Sequence, residues 1–306
     1  MPLEEAVKIH AEGSSFHFFA EPMGSVEVHD GTGYDQKQAW DVAVRFQDIK
    51  RYAHVTDMAK SKLRARAVAG VLERARRLVG TVSAPERPVL QDWKQFVETG
   101  SRGELDIDAS IAEGFTGEGT DLDRLRFESR EEKRRPLAVV MDVSMSMKGD
   151  KLAHLALSVA AIVLSVPSEA MGDLCLMGFD SRIRWVKRFR ETVRIDEIVE
   201  RVLDLPAGGF TNMELAFTEI REELERAGHP RGAVLLVGDG KYTEGADPLR
   251  FASDFRSLHV LKIGRDIGGR DLLRELADRG RGGFFEARTY ADLPRTLYDA
   301  IRASQR

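Results

Sequence analysis

Apolar residues recur at helical spacing from about residue 48 to 78. Val55, Met58, Ala59, Leu63, Ala67, Val71, Leu72, Ala75 and Leu78 alternate there with Lys and Arg, which predicts one amphipathic helix. Gly80 and Ser83-Ala-Pro85 stop it. A shorter helix is predicted over 90–98, with Trp93, Phe96 and Val97 on its apolar face and Gly100-Ser-Arg-Gly103 at its end. Ahead of both, residues 15–19 and 25–28 read as short strands. Residues 117–135 are dense in charge, close on Glu131-Glu-Lys-Arg-Arg135, and read as a solvated approach to a new domain.

From Pro136 the pattern changes to apolar runs separated by amphipathic helices. Strands are predicted at 137–141, 174–179, 233–237, 258–263 and 283–287, with an edge strand at 183–186. Helices are predicted at 151–166, 195–203, 213–227 and 270–279, with a closing helix from Ala291. Continuous apolar strands alternating with helices of this length predict an α/β domain, a doubly wound and mostly parallel sheet covered on both faces. The expected organisation is an N-terminal, mainly helical region over 1–130 followed by this α/β domain over 136–304.

Composition narrows the function classes. A chain of 306 residues with 42% hydrophobic residues can bury real cores. A formal net charge of −4 disfavours a general nucleic-acid or membrane-surface binder. The lone cysteine, Cys175, lies in an apolar run, where it reads as a small buried hydrophobe. No apolar stretch approaches the roughly 20 residues of a spanning helix; the longest, 152–166, contains His154, Ser158 and Ser165. No signal-like start precedes it, so the expected location is the cytoplasm.

Ligands of open α/β sheets gather at the carboxyl ends of strands, beside the point where strand order reverses. The first strand of the α/β region runs into Met141-Asp-Val-Ser-Met-Ser-Met147, so in extended chain Asp142, Ser144 and Ser146 point to one side. The strand at 233–237 runs into Gly238-Asp-Gly240, which puts Asp239 at the same edge. Thr211 lies on the glycine-loosened segment Gly208-Gly-Phe-Thr-Asn-Met213. Hydroxyl and carboxylate oxygens without histidine or thiolate are hard ligands, suited to Mg²⁺, Mn²⁺ or Ca²⁺.

Asp-x-Ser-x-Ser, a distant Thr after glycines and a strand-terminal Asp-Gly together resemble the metal-ion-dependent adhesion site of von Willebrand factor A (VWA) domains. The tail, with Leu272-Leu-Arg-Glu-Leu-Ala277, Gly282-Gly-Phe-Phe285 and residues 293–301, resembles the end of these domains, so the likeness runs from about 136 to 303. The resemblance implies that Ser144 and Ser146 bind the ion directly and Thr211 does so in the ligand-competent state. Asp142 and Asp239 act directly or through water. One position then stays open for an Asp or Glu of a protein partner, and hydroxyl ligands leave the cation most of its charge. Met145 stands where the family usually has glycine, and Asn212 where an Asp is common.

Cytoplasmic proteins with a variable N-terminal region before such a domain resemble CoxE-like proteins, metal-chelatase D subunits and the partners of MoxR-type AAA+ ATPases. The segment Gly103-Glu-Leu-Asp-Ile-Asp-Ala-Ser110 looks like their lead-in. The resemblance implies a non-enzymatic adaptor that couples such an ATPase to a client in metal insertion, cofactor maturation or complex assembly. The rival reading is an RNA-associated protein of the Ro type, in which Lys50, Arg51, Lys60, Lys62, Arg64, Arg66, Arg74, Arg76 and Arg77 supply a basic helix. A solvated face balanced by nearby acidic segments is the preferred account of those residues. His10 and His17, with Glu12 between them, lack the helix or cysteines of a metal site and read as surface or packing residues. Gly117-Glu-Gly-Thr120 and Gly268-Gly269 are not phosphate loops. No nucleophile and base stand together, so no catalysis is expected.

Overall fold

The computed structural model describes residues 36–82, 89–99, 103–115, 122–129, 136–166 and 168–305. The expected strands at 15–19 and 25–28, the pair His10 and His17, and residues 131–135 lie outside them. Among the described residues two helices come first, α1 (Gln36–Ile49) and α2 (Asp57–Val82). The single helix expected over 48–78 is therefore broken at 50–56. No glycine or proline marks the break; Thr56 Oγ1 accepts the Ala59 N–H at 3.3 Å and opens α2 there.

Next come β1 (Val89–Asp92), α3 (Trp93–Thr99), β2 (Gly103–Asp106), α4 (Ile107–Ala112) and β3 (Arg126–Ser129). They build a small antiparallel sheet in the order β1-β3-β2. Residues 90–98, expected as one helix, divide into strand and helix at Asp92, whose Oδ1 accepts the Gln95 N–H at 2.8 Å. The lead-in at 103–110 is β2 turning into α4, capped by Asp106 through the Ala109 N–H at 2.9 Å.

The α/β region follows: β4 (Leu137–Asp142), α5 (Asp150–Ser165), β5 (Leu174–Phe179), β6 (Ile183–Lys187), α6 (Ile195–Asp204), α7 (Met213–Arg226), β7 (Ala233–Gly238), β8 (Ser257–Ile263), α8 (Arg270–Arg279), β9 (Arg281–Ala287) and α9 (Leu293–Ser304). The six-stranded sheet has the order β6-β5-β4-β7-β8-β9, parallel except for β6 at one edge. Every residue of β4, β5 and β7 is buried, as a parallel strand covered on both faces requires. Leu137, Val139 and Met141 join one core with α5, α6, α9 and the apolar faces of α1 and α2. Ala138 and Val140 join the other, with α7 and α8.

The chain divides into two compact units, one over 83–134 and one combining 1–82 with 135–306. The expected division near 130 placed α1 and α2 apart from the sheet. Instead Phe46, Ala67, Val71 and Ala75 are buried in the same core as β4 and α5, which makes these helices an outer layer of the α/β unit. No helix among the described residues is long and apolar enough to cross a membrane. Cys175 is free and buried.

Candidate metal centre

The chain runs outward from β4 through β5 to β6 and returns on the far side of β4 as β7. The carboxyl ends of β4 and β7 therefore flank the crevice where strand order reverses. Asp142 ends β4 with 0% exposure and Asp239 directly follows β7, also at 0%. Gly238 permits their approach, since a Cβ there would lie 2.7 Å from the Asp142 Cβ.

Asp142 Oδ1 accepts the backbone N–H of Ser144 at 2.8 Å, while the Val143 N–H goes to Phe179 O at 2.9 Å. The ladder ends there, and Ser144 immediately precedes a 3₁₀ turn over Met145–Met147. That turn sets Ser144 Oγ and Ser146 Oγ 3.0 Å apart. The two hydroxyls are thus gathered by a turn rather than by the strand alternation expected from their spacing.

Thr211 is buried on the segment between α6 and α7, which is laced to its neighbours through the backbone. Gly208 N–H donates to Val143 O at 3.0 Å and Met145 N–H to Gly209 O at 3.2 Å. Thr211 N–H donates to Thr243 Oγ1 at 3.0 Å, and the Thr243 N–H returns to Thr211 O at 3.1 Å. Gly209 has φ +75°, and a Cβ there would meet Asp180 Cγ at 3.2 Å, so this crossing suits glycine on both counts. Asn212 caps α7, its Oδ1 accepting the Leu215 N–H at 2.9 Å.

The electrostatics are unbalanced. Lys151 Nζ donates to Asp239 Oδ2 at 2.7 Å, while Asp142 Oδ2 and Asp239 Oδ1 are buried without a hydrogen-bond partner. Burial pushes the Asp142 carboxyl from its ordinary 3.8 up to about 7; the charge of Asp239 adds to the rise, and hydrogen bonds from Ser144 and the charge of Lys151 oppose it. Orphaned buried oxygens of this kind mark a site built for something to fill.

Lys151, Asp180 and Thr243 escaped the reading of the sequence. Asp180 follows β5 as Asp142 ends β4, and it braces the Thr211 segment by accepting the Asn212 N–H on its carbonyl at 3.3 Å. Its carboxylate is taken by the Arg182 N–H at 2.7 Å and Arg184 Nη2 at 2.8 Å. Lys151 left only a weak signal: a cation in the first turn of a helix opposes the helix dipole, but Asp150 beside it already places an acid in that turn. Around the polar centre stand three exposed apolar side chains, Met145 at 58%, Phe210 at 65% and Tyr242 at 40%. Met145 projects outward and leaves the turn unobstructed.

A family model described as "VWA domain containing CoxE-like protein" matches residues 87–259, more than half of the chain. The match begins well before β4 and takes in the small sheet. Among solved structures, proximal thread matrix protein 1 from the mussel byssus is 17% identical, with TM-score 0.48 over 56% of this chain and 48% of its own. One of its structures is described with a zinc-occupied MIDAS motif. A von Willebrand factor type A structure from Catenulispora acidiphila is 19% identical, with TM-score 0.45 over 59% and 44%. An aerotolerance-related membrane protein from Bacteroides fragilis is 14% identical, with TM-score 0.43 over 54% and 98%. The chain spans about half the length of the byssus protein it matches. No curated protein matches it.

Proposed function

Since the chain belongs to the family of VWA domain containing CoxE-like proteins, we propose that it is a non-enzymatic protein-binding adaptor whose contact with its partner depends on a divalent cation. The ion is held by Asp142, Ser144, Ser146, Thr211 and Asp239. The observation that carries this reading is the pair of fully buried carboxylates, each with one oxygen left unpartnered and, among the described residues, one ion pair between them and a lysine, Lys151 with Asp239. Burying such oxygens costs several kcal/mol unless a cation or donor meets them. The donors fit a hard ion, which favours Mg²⁺ or Mn²⁺, with Ca²⁺ as an alternative. Bound there, the ion supplies a Lewis-acidic attraction for a carboxylate of the partner.

Met145, Phe210 and Tyr242 give that contact an apolar rim, so the partner segment carries an Asp or Glu flanked by large apolar residues. The resemblance to proteins that serve MoxR-type AAA+ ATPases supports the further reading that the partner is such an ATPase or its client, in the cytoplasm, during metal insertion, cofactor maturation or complex assembly. Some of the basic residues invoked for RNA binding are engaged in holding the fold together. Lys50 and Arg51 donate to backbone carbonyls, and Arg64 pairs with Asp204 and Glu200.

The test is a pulldown from the protein's own cells in Mg²⁺ and in chelator, with the parent chain, Asp239→Asn, and Met145→Ser combined with Phe210→Ser. Mg²⁺-dependent capture of one ATPase, lost in chelator and in both variants, is the expected result. Equal capture by Asp239→Asn, with no effect of chelator, would sink the proposal.

A further inference from the structure

Residues 203–209 join two parts of the molecule that the metal site alone leaves unconnected. α6 ends at Asp204, and the last carbonyls of a helix have no partner within it. Here the N-terminal segment supplies the donors. Gln47 Nε2 donates to Leu203 O at 3.1 Å, and Lys50 Nζ donates to Leu203 O at 2.7 Å and Leu205 O at 2.5 Å. Arg51 Nη2 donates to Ala207 O. A cation at a helix C-terminus also complements its dipole, and charge-assisted bonds are the stronger kind. Arg51 carries that charge throughout, while Lys50, lowered to about 7 by burial and then by Arg51, carries it below that value and remains a donor above it. Arg64 of α2 adds Asp204 at 2.7 Å and Glu200 at 3.2 Å.

The next residues turn toward the metal centre. Leu205 and Ala207 are buried, Gly208 donates to Val143 O, Gly209 accepts from Met145, and Thr211 follows two positions later. The segment that carries Thr211 is therefore pinned from behind by side chains at 47–51 and in front by the turn that follows Asp142.

We propose that Lys50 and Arg51 are positioning residues for the metal centre: by capping the carbonyls of residues 203–207 they hold the Thr211 segment against the turn at 143–145. The segment ending at Arg51 sets metal affinity without touching the ion. This rests on the metal-binding reading above, and the experiment separates the two.

Mn²⁺ is titrated calorimetrically into the full chain. The parent binds, and Asp239→Asn does not. Lys50→Met combined with Arg51→Ala weakens Mn²⁺ binding by about tenfold or more, the scale of lost outer-shell support. Lys50→Arg, which keeps charge and donors, stays within about twofold of the parent. A purely structural role would lower the melting temperature and leave Mn²⁺ affinity unchanged. Arg51 is exposed apart from its bond to Ala207, so Arg51→Ala alone folds and decides the matter if the double variant does not. Parent-like Mn²⁺ affinity in these variants, with Asp239→Asn still inactive, overturns the positioning role alone. No Mn²⁺ binding by the parent overturns both readings.

Discussion

Replacing Asp142 by Asn should make the metal-free protein more stable at pH 8, although Asp142 is fully buried and hydrogen-bonded. Burial raises its carboxyl from 3.8 to about 7 in the folded chain. Between those values the folded state holds a proton that the unfolded state has released, so stability falls as pH rises through the window, and the whole cost is present above 7. A difference of about three pH units corresponds to about 4 kcal/mol for a fully buried group. Asn removes that charge and keeps an oxygen acceptor for the Ser144 N–H. The expected gain at pH 8 is therefore about 2 to 4 kcal/mol, shrinking toward zero near pH 4.

Urea unfolding in chelator from pH 4 to 8 measures this directly. His154 and His259, held below the ordinary imidazole range by burial, titrate in parent and variant alike, so the difference between the two curves isolates Asp142. Mg²⁺ at about a hundred times its Kd should then return about 2.7 kcal/mol to the parent. The variant should gain nothing. Parallel pH profiles for the two proteins, or an Asn variant less stable than the parent at pH 8, would refute the reasoning.

Lys151→Met should destabilise the metal-free chain by about 3 kcal/mol, because Asp239, fully buried, loses its ion-pair partner among the described residues. The same variant should bind Mn²⁺ more tightly, since one competing cation is gone; chelator-treated unfolding and Mn²⁺ calorimetry check the two halves. Gly238→Ala forces a Cβ to 2.7 Å from that of Asp142 and should cost about 1 to 3 kcal/mol together with metal binding, read by the same two assays. Cys175, buried and with its thiol pushed above the ordinary range by burial, should react with a thiol reagent only at the rate of global unfolding. Rapid labelling of the native protein would place the residue at the surface.

What the sequence disclosed, and what it withheld, follows from the range of the interactions involved. β4, β5 and β7 were legible because a strand buried on both faces must be apolar at every position, and each is. Asp142 and Asp239 stood out for the same reason, as carboxylates closing those runs. The division of 90–98 into β1 and α3 was hidden because a four-residue strand beside a seven-residue helix leaves too little pattern to tell period two from period 3.6. The break between α1 and α2 was hidden because its one local mark, the Thr56 cap, has no glycine or proline beside it and sits within an apolar pattern that runs on through it. Lys50 and Arg51 were read as part of a solvated face, the default for cations, yet their partners lie at Leu203, Leu205 and Ala207, more than 150 positions away. Lys151 likewise reaches Asp239 across 88 positions. A side chain's charge shows in the sequence and its counter-group does not, so residues that gather a site from afar pass as surface. Lys151 left only a weak mark, a cation set against the dipole in the first turn of α5, and because Asp150 beside it already places an acid in that turn, nothing local pointed to Asp239.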